Sequence, residues 1–295
     1  MGGTLMLNTI TRITNPTPVL SEMSSSFCCC LSAILFRKNT THFQPTSKST
    51  TVKMQQIYGQ LLTASGLGFS YVYKDNYLSP FRKIEYYTAF GNDHYIDYAL
   101  NYGNCNYEIL SAVDHDILIK IINSINNDIP VLAEGLTDLG WSLITGYDDL
   151  GQLYGYSPIC NCCTDCVNCI IRKSSPLVSE FVLSDWKAIL KRIIIIKDFY
   201  KERGNTQYFI EHWINLMTLR PLNGYSFGND AIDAMIHLLE DDISIESLND
   251  DQLKKLYRWI YTNSFIPDYR FYMAKSIYDV LEVPFLKKVP FENKP

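Results

Sequence analysis

With 295 residues, 47% of them hydrophobic, the chain can bury a sizeable core, which excludes a globally disordered protein. Lys and Arg total 26 against 31 Asp and Glu, a net charge of −5, so the basic excess of a nucleic-acid-binding surface is missing and no nucleic-acid partner is expected. No apolar run reaches the roughly 18–20 residues of a membrane span, and the N-terminus lacks the basic-then-apolar pattern of a secretory signal. A cytoplasmic protein is therefore expected, with its nine cysteines reduced rather than paired in disulfides.

Residues 1–20 are polar, rich in Thr and punctuated by Asn15-Pro16-Thr17-Pro18, which predicts an extended N-terminal arm. Phe27–Phe36 is a compact apolar run closed by Arg37-Lys38-Asn39; its length suits a short buried helix. Residues 39–52 read as a polar loop. Met54–Thr63 reads as a helix, broken at Ser65-Gly66-Leu67-Gly68, and Phe69–Tyr73 as a strand. Ile84–Tyr87 and Tyr107–Leu110 suggest two further strands.

His115–Ile125 places apolar residues at 117, 118, 121, 122 and 125, a helical stripe stopped by Asn126-Asn127-Asp128. Ile129–Ala133 is a short strand. Leu143-Ile144-Thr145 runs through Gly146-Tyr147 into the acidic turn Asp148-Asp149-Leu150-Gly151 and out along Leu153-Tyr154, which writes a β-hairpin. A cysteine cluster and the polar stretch Arg172–Pro176 follow, and a domain boundary is expected near residue 175. Beyond it the spacing predicts helices over Asp185–Tyr200, Tyr208–Leu219, Gly228–Leu239, Asp250–Thr262 and Tyr269–Leu281, with Ser184 and Asn249 as caps. The resulting expectation is an α+β domain over residues 21–175 and an all-helical domain over 176–295.

Three groups of residues could carry chemistry. Cys28-Cys29-Cys30 opens the predicted buried helix, and a thiol at a helix N-terminus is a better nucleophile because the unsatisfied N–H groups lower its pKa. Three small buried hydrophobes would look the same. Cys160, Cys162, Cys163, Cys166 and Cys169 form the second group. Four of these, Cys160, Cys163, Cys166 and Cys169, recur every third residue and could ligate zinc or an iron–sulfur cluster. They lack the separated pairs of an ordinary zinc site and no His lies nearby, so a cysteine-rich surface loop without metal is the favoured reading. The third group is the hairpin with its acidic residues Glu134, Asp138, Asp148 and Asp149, of which the turn residues read as turn formers. The five histidines, at 42, 94, 115, 212 and 237, are scattered, with His212 and His237 on helical stretches.

Several segments taken in order resemble the papain-like, peptidase-related family typified by the N-terminal domain of butirosin biosynthesis protein H, with bacteriocin leader peptidases as distant relatives. These are Cys28 followed by Ser32 and an apolar helix, SGLGFSYVY at 65–73, INSINNDIPVLAEG at 122–135, LITGYDDLGQLYGYS at 143–157 and GYSFGNDAIDAMIHLLED at 224–241. The resemblance implies a papain-like α+β domain followed by a helical one, and a Cys–His–Asp/Asn chemistry serving peptidases and an acyltransferase of secondary-metabolite biosynthesis. Its partners would be an acyl-carrier protein or a peptide. Cys28 then falls at the nucleophile, Gly140 at the His and Ser157 at the carboxylate. Neither of the last two can do that work. The expectation is a non-catalytic or weakly active relative that keeps the cleft. The alternative is an active enzyme using Cys28 with a non-standard base, for which Glu134 and Asp138 are the nearest substitutes.

Overall fold

The computed structural model describes residues 9–13, 25–39, 48–67, 72–74, 94–137, 140–158, 179–200, 206–218, 225–240 and 249–250. Among these the fold is mixed α/β. In chain order the elements are β1 (Ile10–Arg12), α1 (Ser26–Asn39), α2 (Lys48–Ala64), β2 (Val72–Lys74), α3 (His94–Tyr102), β3 (Cys105–Ser111), α4 (Ile117–Asn126) and β4 (Val131–Glu134). They continue with β5 (Trp141–Asp148), β6 (Leu153–Ser157), β7 (Ser179–Leu183), α5 (Trp186–Ile189), β8 (Arg192–Phe199), α6 (Thr206–Met217), β9 (Tyr225–Phe227) and α7 (Gly228–Glu240). No helix among the described residues is long and apolar enough to cross a membrane.

Seven strands form one antiparallel sheet in the order β3-β8-β4-β5-β6-β7, with β1 added on β5. Strand β6 takes one edge of β5. The other edge is shared, with β4 paired over Trp141–Ile144 and β1 over Gly146–Asp148. Side chains alternate across the sheet. Val131, Ala133, Ile144, Ile193 and Ile195 pack with Ile117, Ile121 and Ile125 of α4 on one face. Leu132, Trp141, Leu143, Ile194 and Ile196 are buried on the other, where Phe27 of α1 meets Trp141 edge-on at 5.1 Å between ring centroids. With both faces covered, β8 reads RIIIIKDF and all four isoleucines are buried.

Several expectations fail here. The helix predicted over Asp185–Tyr200 is the single turn α5 followed by strand β8. A continuous isoleucine run has no period to separate helix from strand, and the β-branched side chains favour the strand. The cap of α5 is Asp185, not Ser184. The sheet also draws on β7 and β8 beyond residue 175, where an all-helical part was expected, and β9 lies there too. Part of the expected N-terminal arm is strand β1, and Lys48–Val52, read as loop, begins α2. Helices α1 and α4, strands β3 and β4, the hairpin β5–β6, and helices α6 and α7 lie where the sequence places them. Helix α3 was not anticipated. Ile84–Tyr87, Asp250–Thr262 and Tyr269–Leu281 fall wholly or almost wholly outside the described residues.

The described residues divide between two compact units, one from Met1–Tyr58 and Gly103–Arg203, the other from Gly59–Tyr102 and Gly204–Pro295. The first holds the sheet with α1, α4 and α5. In the second, β2 pairs with β9 and α3 packs aromatic rings against α6. His212 stacks on Tyr98 at 3.5 Å between centroids, and its Nε2 lies 3.1 Å from the Ser65 carbonyl oxygen. Gly66, at φ +77°, sits under this pair: a Cβ there would come 2.6 Å from His212 Nε2 and 2.2 Å from Leu216.

Candidate functional site

The N-terminus of α1 abuts the start of the β5–β6 hairpin. Ser25 caps the helix: its Oγ accepts the Cys28 N–H at 3.2 Å, and its carbonyl accepts the Cys29 N–H at 3.0 Å. Ser25 in turn donates its own N–H to Tyr58 Oη at 3.2 Å. Ser26, in the first turn, reaches across to the sheet, where its Oγ accepts the N–H of Trp141 at 3.0 Å. Trp141 directly follows Gly140, whose N–H is held by the Thr137 carbonyl at 3.1 Å. Thr137 and Ser157 share a hydroxyl–hydroxyl hydrogen bond of 2.9 Å. Ser25, Ser26, Thr137, Ser142 and Ser157 are all buried.

The two hairpin positions at which the resemblance places a base and its orienting group are thus brought to one end of the sheet, beside a helix N-terminus. Two α1 side chains reach Trp141 of the hairpin: Ser26 through its Oγ and Phe27 through its ring. Cys28 stands two residues after Ser26, about 200° around the helix axis, so its side chain leaves the opposite side of α1. Cys28, Cys29 and Cys30 are each 0% exposed. Ser32 donates to the Cys29 carbonyl at 2.7 Å within the helix. A further buried thiol, Cys105 in β3, is pushed up to about 12 by burial, against the lowering effect of Lys38.

Glu134 ends β4 next to this site. Its Oε2 accepts from Arg192 Nε at 2.7 Å, and Lys191 Nζ lies 3.9 Å from Oε1. The Arg192 guanidinium lies over the Trp141 ring at 5.2 Å. Both carboxylate oxygens of Glu134 thus face cations. Asp138 lies outside the described residues, as do Cys160, Cys162, Cys163, Cys166 and Cys169. Among the described residues no group of three or more His, Cys, Asp or Glu is placed to hold a metal ion.

The acidic turn is structural. Asp148 is buried, and its Oδ1 accepts the N–H groups of Leu150 and Gln152 at 3.0 and 2.9 Å while Oδ2 accepts the Tyr154 hydroxyl at 3.0 Å. Asp149 accepts the Thr9 N–H at 3.1 Å. Of the histidines, His94 and His237 are exposed, His212 is buried against Tyr98, and His42 lies outside the described residues. Sequence reasoning passed over Ser26, Thr137 and Trp141. The signal for Ser26 was present: Ser24-Ser25-Ser26 immediately before an apolar run is an N-cap signature, and it places the helix start two residues ahead of Cys28. Compared with protein-family models, curated proteins and solved structures, the chain has no match.

Proposed function

We propose that this chain is a non-catalytic binding or accessory protein on a scaffold of the thiol peptidase and acyltransferase type, with Ser26, Gly140 and Ser157 at the three reacting positions. The observation that carries the reading is the hydrogen bond from Trp141 N–H to Ser26 Oγ. It sets the N-terminus of α1 against the hairpin start, where the resemblance expects a nucleophile to face a base. A serine hydroxyl without an adjacent general base is a poor nucleophile, and glycine supplies none. The hydroxyl of Ser157 is engaged with Thr137 and carries no charge to stabilise an imidazolium. On this reading the partner is an acyl-carrier protein or a peptide, a class that rests on the resemblance.

Rebuilding the site tests the proposal. Ser26→Cys with Gly140→His should create a thiol that reacts with iodoacetamide near pH 7 at least about tenfold faster than Ser26→Cys alone, because the imidazolium lowers the thiol pKa. In the unaltered chain Cys28 should react slowly. Rapid alkylation of Cys28 in the unaltered chain, with an apparent pKa below about 6, would mean that an activating group does stand at Cys28 and would reject the reading.

A further inference from the structure

On the face of the sheet covered by α4, at the β3 edge, a surface pocket of about 310 Å³ opens between α4, β3 and β8. Its polar wall is built round Glu108. Lys120 Nζ approaches one carboxylate oxygen at 2.7 Å and Lys197 Nζ the other at 3.0 Å. Two ammoniums are thereby gathered at one wall of the pocket against one carboxylate, a surplus of one positive charge. Each ammonium has three N–H donors, and Glu108 takes only one of each. Asp116, outside the pocket lining, lies 3.6 Å from Lys120 and takes a share of its charge, whereas Lys197 has Glu108 as its carboxylate partner at the pocket. Asn123 of α4 and its C-cap Asn127 also line the pocket, and Ile129 and Ile195 add apolar surface.

We propose that this pocket binds a small organic carboxylate, the anion bridging Lys120 and Lys197 and a short aliphatic tail lying on Ile129 and Ile195. The lining groups carry one positive charge in excess, partly offset by Asp116 outside the lining, which suits a monoanion better than a phosphate dianion. The isoleucines select an apolar tail over a wholly polar ligand, and the volume suits a molecule at the small end of the usual ligand range. The lysine hydrogen bonds hold the Glu108 carboxyl below the usual carboxylate range, so it stays charged and competes with the incoming anion for the same donors. The site is separate from the α1 N-terminus and does not depend on the function proposed there.

The experiment is titration of the full chain with hexanoate at low ionic strength, followed by chemical-shift changes or calorimetry. Saturable binding is expected. Lys120→Met with Lys197→Met should weaken it at least about tenfold, the loss of charge-assisted hydrogen bonds. If that pair does not fold, the single Lys197→Met, at a half-exposed position, is read instead. Glu108→Gln is the discriminating variant. It releases Lys197 and leaves Lys120 only its longer contact to Asp116, so it should tighten hexanoate binding several-fold, an effect that a merely structural ion pair would not produce. Absence of saturable binding, binding indifferent to the lysine changes, weaker binding in Glu108→Gln, or binding of hexylammonium or inorganic phosphate at equal or greater strength would each overturn the proposal.

Discussion

Ser26→Ala removes the acceptor of the buried Trp141 N–H while leaving the helix cap, Ser25, in place. Stranding that donor should cost about 1–3 kcal/mol in denaturant unfolding. Ser26→Cys, which keeps a weaker acceptor, should cost less. A neutral Ser26→Ala would mean that the α1–hairpin contact contributes nothing to holding the site. At the same scale, His212 gives the second unit a pH dependence. Burial against Tyr98 lowers its pKa from the ordinary 6.5, with the Ser65 carbonyl opposing the shift and the charge of His94 adding to it. Between the lowered folded value and the unfolded value, the unfolded chain holds the extra proton. This contribution to stability is therefore complete above about pH 6.5 and is lost as the pH falls through that value toward the folded one. Thermal melts from pH 7.5 to 5 should show the decline, and His212→Gln should flatten it. An unchanged slope in the variant would assign the effect elsewhere.

Among elements, the hairpin was legible because its two signals agree: apolar strands flank a turn whose Asp148 and Gly151 are chemically required. Gly151 takes φ +77°, and Asp148 accepts two N–H groups of the turn. Helix α4 was legible from its stripe, and Asp128 at φ 62° marks its end. Strand β8 was not, because its burial on both faces erases the alternation that identifies a strand. Gly140 and Ser157 follow from the hairpin register, whereas the α1 residue that bonds the hairpin backbone is Ser26, two positions before the Cys28 taken as nucleophile. The hairpin also contains a position where no side chain fits. A Cβ on Gly155 would stand 2.0 Å from the Leu143 carbonyl oxygen and 2.4 Å from Phe181. Gly155→Ala should force β6 away from β5 or β7 and destabilise the first unit by about 1–3 kcal/mol, readable as a lowered denaturation midpoint. Gly151→Ala, with open space around it, should cost only the backbone strain of its positive φ, about 1 kcal/mol.

For the whole molecule, the decisive fact is that β8 lies between β3 and β4. A chain ended at residue 175, the boundary suggested by composition, would lose β7 and β8 together and leave β3 without its strand partner. Such a fragment should show no cooperative unfolding transition and a collapsed near-ultraviolet signal, whereas the full chain should unfold cooperatively. A well-folded 1–175 fragment would show that the sheet can form without β7 and β8. The same order has a consequence for biosynthesis. Cys105 must wait for Phe199, so the sheet cannot be completed while the nascent chain is still being extended through the intervening segment. Until then the edges of β3 and β4 are open, and the last strand to arrive carries four consecutive isoleucines. Such a segment is a template for intermolecular pairing. Lys191 and Arg192 before the isoleucines, and Lys197 and Asp198 after them, act as charged gatekeepers, disfavouring stacking between chains until the slot between β3 and β4 is filled.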